Sequence, residues 1–168
     1  MKSVVLEGIT SSGKTQLVSS LKDELKRYGG FDVKELTHME SDDQYGRYLR
    51  EYATQERVLF HRSHVSEHVL GRILRGNSPF SEHELATLNA IVASRFLCVL
   101  TEPPSFQSFS DRVAKRRGKE VFSEDTYNEV VESFRKSFEQ LPHLHYISSS
   151  FDQLKATKDA LLAELTHQ

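Results

Sequence analysis

Short apolar runs alternate with helical patterns from the start of the chain. The first run, Val4-Val5-Leu6, contains β-branched residues and predicts a strand. A Gly/Ser-rich turn follows, and the next apolar spacing predicts a helix that ends at Gly29-Gly30. Residues 31–36 then predict a second strand. The apolar face of the helix consists of Leu17, Val18, Leu21, Leu25 and Tyr28.

The alternation continues through the middle of the chain. Asp42 or Asp43 is a candidate N-cap for a helix whose apolar face carries several tyrosines. Val58-Leu59-Phe60 predicts a third buried strand, and the apolar spacing after it predicts a helix from about His64 to Leu74.

A capping-box pattern marks the next helix. Ser81 and Glu84 are three residues apart, directly ahead of an apolar helical pattern. The run from Phe96 to Leu100 predicts a strand that is apolar on both faces and therefore lies inside a sheet. The remaining predicted elements are an acidic helix start at Ser123-Glu124-Asp125, a strand at Tyr146-Ile147 and a helix from Leu154 to Leu165.

This order of elements predicts an α/β fold. Parallel strands need crossover connections, and the intervening helices supply them, so we expect a five-stranded parallel sheet with helices on both faces. A chain of 168 residues has the length of one compact domain, and we expect residues 1–168 to form a single domain.

Composition and charge narrow the function classes. The formal net charge is -2 and the sequence pI about 6.4, so duplex nucleic acid is a disfavoured partner. The N-terminal apolar run is too short for a signal peptide or a membrane span, which predicts a cytoplasmic protein without membrane association. Cys98 is the only cysteine and lies in an apolar run, which indicates a buried thiol.

The turn after the first strand carries a phosphate-binding pattern. Residues 8–15, Gly-Ile-Thr-Ser-Ser-Gly-Lys-Thr, match G-x-x-x-x-G-K-[ST] between a predicted strand and a predicted helix, the context that the pattern requires. Glycines let the backbone amides turn toward phosphate oxygens at the start of the helix. The residues predicted to bind the nucleotide here are Gly8, Ser11, Ser12, Gly13, Lys14, Thr15 and Gln16.

Two side chains of this loop predict the chemistry. Lys14 would place an ammonium on the phosphoryl group in transfer, and the Thr15 hydroxyl would ligate Mg²⁺ between two phosphates. The expected cofactors are therefore ATP and Mg²⁺.

A second polar segment follows the third strand. The carboxyl ends of the strands border the ligand crevice in an open α/β sheet, so His61 and Arg62 would face the same cavity as the loop. Arg62 is well placed to clamp a phosphate. The alternative is that Arg62 and the nearby histidines only form the solvent-exposed start of a helix. Zinc binding by His61, His64 and His68 is disfavoured, because no cysteine is available as a further ligand.

These residues resemble the thymidylate kinase-like branch of P-loop kinases, which includes the deoxynucleoside kinases. In that group an acidic residue followed by Arg closes the third strand, whereas here His61-Arg62-Ser63 occupies the place. The resemblance implies a P-loop NTPase fold and contact of Arg62 with acceptor or phosphate. It also implies subunits that can associate as homodimers.

The basic stretch from Arg112 to Lys119 resembles the lid of nucleoside and nucleotide kinases, in which arginines close over ATP. We expect the lid at about residues 111–123. Arg112 and Arg116 are four apart and would share a helix face as catalytic residues, with Arg117 as a third contact to the nucleotide. The alternative is an exposed basic turn with no ligand.

Carboxylates after two strands are candidates for proton transfer and metal binding. Glu40 follows the second strand, and resemblance to deoxynucleoside kinases implies that it is the catalytic acid-base residue. Asp42 and Asp43 follow the same strand, but for these two the alternative of capping the next helix is at least as good. Glu102 follows the strand at 96–100 and is a candidate for holding a metal-bound water, the alternative being an ion pair.

The function expected from the sequence is transfer of the γ-phosphoryl group of ATP to a nucleoside or nucleoside monophosphate. Tyr45, Tyr48, Tyr52 and Phe80 could stack on an acceptor base, although such a stripe is more often helix core. One alternative is a P-loop kinase acting on an antibiotic, a vitamin precursor or a modified base in DNA. Another is a regulatory protein that binds a nucleotide without an acceptor.

Overall fold

Five parallel strands form one sheet in the part of the chain that the computed structural model describes, which is residues 2–27, 29–38, 42–53, 57–116 and 122–166. The predicted strands are all present. In chain order they are β1 (Ser3–Glu7), β2 (Asp32–Glu35), β3 (Val58–His61), β4 (Phe96–Glu102) and β5 (His143–Ile147).

Seven helices connect or follow these strands within the described residues. Six of them correspond to predicted helices. The helices are α1 (Lys14–Lys26), α2 (Gln44–Ala53), α3 (His64–Arg75), α4 (Glu82–Arg95), α5 (Phe106–Ala114), α6 (Glu124–Phe138) and α7 (Phe151–Thr166).

The sheet has the strand order β2-β3-β1-β4-β5, with every neighbouring pair parallel. β1 is therefore the middle strand, and Val5 on it pairs with Phe60 on one side and Cys98 on the other. The chain passes to one side of β1 for β2 and β3 and to the other side for β4 and β5. Where the direction of strand addition reverses in this way, a crevice opens at the carboxyl end of the middle strand, and residues 8–13 lie there.

Each face of the sheet has its own hydrophobic cluster. Side chains alternate along β1, so Val5 belongs to one cluster while Val4 and Leu6 belong to the other. The first cluster joins the sheet to helices α2 through α6, and the second joins it to α1 and α7. The predicted α/β fold with helices on both faces is confirmed.

Local capping chemistry sets where several helices begin. Ser81 and Glu84 form the predicted capping box of α4, in which each residue's side chain binds the other's backbone amide. Ser63 caps α3 and Ser123 caps α6 more simply, since in each case only the serine side-chain oxygen accepts a backbone N–H of the helix.

The aromatic stripe predicted as a possible base-stacking surface is core. Tyr48 and Tyr52 have no exposed surface, and Phe80 is buried beside them, with ring centroids of Tyr48 and Phe80 5.8 Å apart. Tyr45 packs against the same cluster.

Cys98 is also buried, as predicted, and burial raises the pKa of its thiol to about 12. In the described residues, no helix combines the length and apolar character needed to cross a bilayer.

Candidate active site

The loop between β1 and α1 folds through three backbone positions in the left-handed region. Gly8 has φ 133°, Ser11 φ 58° and Gly13 φ 96°. A Cβ atom on Gly8 would lie 2.0 Å from the carbonyl oxygen of Thr101, and one on Gly13 would lie 2.7 Å from Cβ of Ser148. The glycines of the sequence pattern are therefore required by close packing, against backbone at Gly8 and against side chains at Gly13, as well as by conformation.

Lys14 lies inside this loop. Its ammonium donates to the carbonyl oxygens of Gly8 and Ile9, both at 2.7 Å, and to Oγ of Ser12 at 3.1 Å. Only 4% of the residue is exposed. Burial and the nearby Arg62 guanidinium lower the pKa of Lys14 well below its usual range, while Glu7 acts in the opposite direction.

A chain of hydroxyl groups fastens the loop to the sheet. Thr101 on β4 donates from Oγ1 to the carbonyl oxygen of Glu7 at 2.8 Å, so Ser12 must be the donor in its 2.5 Å contact with the same Oγ1. The loop is therefore held to β4 by side chains that the pattern leaves unspecified.

Ser11 carries an unsatisfied buried oxygen. Ser11 is only 8% exposed, and its Oγ is buried without a hydrogen-bond partner among the described residues. Buried hydroxyl groups are normally hydrogen-bonded, and an unpaired one in a loop with this sequence pattern fits an oxygen-rich ligand.

A cavity of about 480 Å³ opens directly over the loop. The loop supplies much of its lining, and most of the other lining residues are basic. Its lining residues are Thr10, Ser11, Ser12, Gly13, Lys14, Thr15, Gln16, Glu35, His61, Arg62, Arg112, Lys115 and Arg116. Five lysine and arginine side chains against one carboxylate make this cavity suited to a polyanion.

Arg62 lines the cavity from the end of β3, as the sequence predicts for this segment. Its backbone is in the left-handed region at φ 83°, and its amide donates to the carbonyl oxygen of Leu6 at 2.9 Å. Its guanidinium lies 3.4 Å from Oγ of Ser66. A non-glycine residue in this conformation is strained, which is common at functional sites.

Arg112 reaches the loop from α5. Its guanidinium donates to the carbonyl oxygen of Ser11 at 3.1 Å, to Oγ of Ser148 at 2.6 Å and to the carbonyl oxygen of Ser148 at 2.6 Å. Arg112 therefore ties α5, the loop and the turn after β5 together.

The rest of the predicted lid is only partly described. α5 ends at Ala114, so Arg112 is helical while Lys115 and Arg116 follow the helix, contrary to the shared helix face predicted for Arg112 and Arg116. Lys115 and Arg116 nevertheless line the cavity. Arg117 lies outside the described residues.

Glu35 is a cavity carboxylate that sequence reasoning missed. It is the last residue of β2, and its Oε1 lies 3.3 Å from Nδ1 of His61 at the end of β3. Burial and the charge of Lys14 lower the pKa of His61, while Glu35 acts to raise it. Glu40, the residue predicted for proton transfer, lies outside the described residues. The position of Glu35 at a strand end was the signal available in the sequence.

Glu102 does not line the cavity. Its carboxylate is 5% exposed and accepts two hydrogen bonds from Arg135, at 3.0 and 2.8 Å, with Nε2 of His145 3.3 Å away. The alternative expectation of an ion pair at Glu102 is therefore correct, and Arg135 occupies the carboxylate that was predicted to hold a metal-bound water.

The three histidines after β3 have separate partners. His61 faces Glu35, Nδ1 of His64 is 2.8 Å from the Tyr52 hydroxyl, and Nδ1 of His68 is 2.9 Å from Oγ of Ser78. Among the described residues, no group of three or more His, Cys, Asp or Glu side chains is arranged to hold a metal ion.

Comparison with known proteins gives matches in structure only. No protein-family model and no curated protein matches the chain. The YorR protein of Bacillus subtilis, solved in complex with phosphorylated GDP, superimposes with a TM-score of 0.78 at 17% identity, over 98% of this chain and 96% of that one.

Two kinases are also similar in structure. Deoxyadenosine kinase from M. mycoides, with bound dATP, gives a TM-score of 0.64 at 11% identity and covers 95% of this chain and 99% of that one. Polyphosphate kinase 2 from Arthrobacter aurescens TC1 gives a TM-score of 0.67 at 13% identity and covers 95% of this chain and 66% of that one. At these identities the similarity is one of fold, and the fold is that of P-loop kinases, as the sequence resemblance predicts.

Proposed function

We propose that this protein transfers the γ-phosphoryl group of ATP to a small acceptor, a nucleoside or a nucleoside monophosphate. The observation that carries the proposal is a phosphate-binding loop whose Lys14 is buried within it, beneath a cavity that Arg62, Arg112, Lys115 and Arg116 also line.

The phosphate tail would lie along residues 8–15. Lys14 Nζ now donates to two carbonyl oxygens of the loop, and a β- or γ-phosphate oxygen is a stronger acceptor for the same ammonium. The unpaired hydroxyl of Ser11 adds a further donor within the loop. Binding therefore exchanges hydrogen bonds inside the loop for hydrogen bonds to the nucleotide.

Oxygen ligands suited to Mg²⁺ lie on the cavity wall. Mg²⁺ usually keeps several waters and is bound by one or two protein oxygens together with phosphates. The Thr15 hydroxyl fits that donor set, since Thr15 lines the cavity. When bound, the ion would neutralise charge on the phosphates.

The basic side chains would stabilise the transferring group. Phosphoryl transfer needs positioning and charge stabilisation more than covalent chemistry. Arg62 and Arg116 border the cavity without an ion-pair partner among the described residues, so both guanidinium groups are available to phosphate oxygens. Arg112, bound to the loop and to Ser148, would keep that loop in its binding conformation.

Glu35 would orient the acceptor hydroxyl and accept its proton. Among the described residues it is the one carboxylate on the cavity wall. Its side chain is 58% exposed and lies 3.3 Å from His61, so it can approach an acceptor that enters from solvent. Glu40, the residue predicted from the sequence for this role, lies outside the described residues and stays a prediction.

The nucleoside or nucleotide character of the acceptor is supported by the structural neighbours. One of them is a deoxyadenosine kinase and another was solved with phosphorylated GDP. The cationic surplus of the cavity is compatible with an acceptor that itself carries a phosphate.

A screen of acceptors tests the proposal. The protein is incubated with ATP, Mg²⁺ and each common nucleoside or nucleoside monophosphate, and ADP release is measured. We expect release that depends on one acceptor class and is lost in Lys14→Ala. Release without any acceptor would favour a nucleotide-dependent regulator, and release only with an antibiotic, a vitamin precursor or DNA would reassign the acceptor.

A further inference from the structure

Glu7 is a fully buried carboxylate that the proposed transfer does not use directly. It is the last residue of β1, immediately before Gly8, and has no exposed surface. Its carboxylate accepts hydrogen bonds from the backbone amides of Ser63 at 2.6 Å and Ser66 at 3.1 Å. It also accepts short hydrogen bonds from the hydroxyl groups of both serines. Four donors from α3 and its cap therefore converge on one side chain of β1.

This arrangement explains how a charge is tolerated in the interior. A buried carboxylate is costly unless donors satisfy its oxygens. Here the amides belong to the N-cap Ser63 and to Ser66 in the first turn of α3, and backbone N–H groups at this end have no partner inside the helix. The positive end of the helix favours the negative charge as well. Glu7 thus caps α3 from another element of the fold.

The same contacts hold Arg62 in its strained conformation. Arg62 has φ 83° and is followed directly by Ser63, whose amide and hydroxyl are both bound by Glu7. The hydroxyl of Ser66 donates to Glu7 and lies 3.4 Å from a guanidinium nitrogen of Arg62. Strained backbone persists only where its surroundings fix it, and these contacts hold Ser63, directly after Arg62, and Ser66, beside its guanidinium.

We propose that Glu7 is a positioning residue that sets the conformation of Arg62 relative to the phosphate-binding loop. The inference rests on the proposed function, because it assigns Glu7 an effect on transfer through Arg62. Glu7 is well suited to this role because it is covalently continuous with the loop and hydrogen-bonded to the segment that carries Arg62. Together with the hydrogen bond from the Arg62 amide to Leu6, Glu7 therefore fixes the position of Arg62 relative to the loop.

A purely structural role for Glu7 makes a different prediction. If Glu7 only stabilised the fold, its replacement would lower activity by the same factor whether or not Arg62 was present. If it acts through Arg62, the effect of its replacement disappears when the guanidinium is removed.

The test is a double-mutant cycle on phosphoryl transfer with Glu7→Gln, Arg62→Ala and the combined variant. We expect Glu7→Gln alone to lower kcat by at least about tenfold, with KM for ATP changed by less than about threefold. In the Arg62→Ala background the same substitution should change kcat by less than about twofold. Equal factors in the two backgrounds would overturn the proposal.

Two further variants separate positioning from loss of stability. Ser66→Ala keeps the Glu7 charge but removes the hydroxyl between Glu7 and Arg62, and it should also lower kcat, by about threefold to tenfold. Ser81→Ala removes the N-cap of α4, which does not line the cavity, so it should lower thermal stability and leave kcat unchanged. If Ser66→Ala has full activity, Glu7 does not act through this contact and the proposal is wrong.

Amide hydrogen exchange tests the inference independently of turnover. In Glu7→Gln the amides of residues 62–66 should exchange at least about tenfold faster than in the natural protein, while amides of β4 are unchanged. If the natural protein transfers no phosphoryl group but this local acceleration is seen, the proposed function fails and the positioning of Arg62 by Glu7 stands. Unchanged exchange at residues 62–66 would overturn the positioning itself.

Discussion

The ammonium of Lys14 donates a 2.7 Å hydrogen bond to the carbonyl oxygen of Gly8, so the two ends of the phosphate-binding loop are in contact. The loop keeps its shape through this bond and a second one of equal length to Ile9. A bound phosphate would have to take over the ammonium, and loop shape and ligand binding are therefore linked through one side chain.

Replacing Lys14 by Ala should abolish turnover while leaving the fold intact. The change removes the ammonium that, in the proposed function, would stabilise the transferring group, and we expect kcat to fall by about 1000-fold. ADP release and circular dichroism measure the two properties. Lys22→Ala is the matched control, since Lys22 is exposed on the same helix. Full activity in Lys14→Ala would refute the assignment of the loop.

Replacing Glu35 by Gln should slow transfer without weakening nucleotide binding. The variant keeps the size of the side chain but cannot accept the acceptor's proton, so kcat should fall by about 100-fold or more. The matched control is Glu51→Gln, because Glu51 pairs with Lys34 on the surface and does not line the cavity. A Glu35→Gln variant with unchanged kcat would leave proton transfer to another group.

Replacing Arg112 by Ala should raise KM for ATP. The guanidinium holds the loop through Ser11 and Ser148, and losing these charged hydrogen bonds should raise KM by about tenfold. Initial rates over a range of ATP concentrations give the value. Arg95→Ala, at the exposed end of α4, should leave KM unchanged. If both variants behave alike, the contacts of Arg112 do not matter for nucleotide binding.

Replacing Gly8 by Ala should destabilise the protein far more than replacing Gly30. Both glycines have positive φ, but a Cβ on Gly8 would lie 2.0 Å from the Thr101 carbonyl oxygen, whereas nothing lies within 4 Å of one on Gly30. We expect a loss of more than about 3 kcal/mol for Gly8→Ala and of about 1–2 kcal/mol for Gly30→Ala. Urea unfolding measures both, and equal losses would contradict the crowded packing at Gly8.

The free energy of unfolding should fall as the pH is lowered, because the buried His64 becomes protonated. Burial lowers the pKa of His64 from an ordinary value near 6.5 to about 4, and the Asn89 hydrogen bond offsets this only in part. The folded state therefore favours the neutral ring. Its contribution is fully present above pH 6.5 and is lost as the pH falls toward 4.

Urea unfolding at two pH values measures this effect. Each pH unit below 6.5 costs about 1.4 kcal/mol, so His64 should remove about 2 kcal/mol of unfolding free energy between pH 6.5 and 5.0. In His64→Gln the unfolding free energy should fall by about 2 kcal/mol less over this pH range. His83→Gln, at an exposed position on α4, should show the same fall as the natural protein. The same pH slope in His64→Gln would show that other groups cause the loss.

The fold was predictable because its signals are local. Apolar spacing identified all five strands, and the Ser81-Glu84 pair identified the start of α4 before any contact was known. The phosphate-binding loop was equally accessible, since its pattern directly encodes backbone conformation at Gly8 and Gly13. α5 was missed because its apolar face is short: Phe109 and Val113 are its fully buried residues.

The rest of the site depends on contacts between distant segments. Glu35 reaches the cavity because β2 lies beside β3, and its place near a strand end is a weak signal, which the sequence also offers for other acids nearby. Glu7 and Ser63 are 56 residues apart, so their hydrogen bond is set by the sheet order. Glu102 occupies a strand end as expected, but the neighbouring Arg135 on α6 binds its carboxylate.

Binding of a nonhydrolysable ATP analogue with Mg²⁺, followed by titration calorimetry, is the most direct measurement of whether residues 8–15 hold a triphosphate. We predict that the natural protein binds the analogue at least about tenfold more tightly than AMP, and that Lys14→Ala abolishes this preference. Equal affinity of the natural protein for the two ligands, or a preference unaffected by Lys14→Ala, would contradict the account.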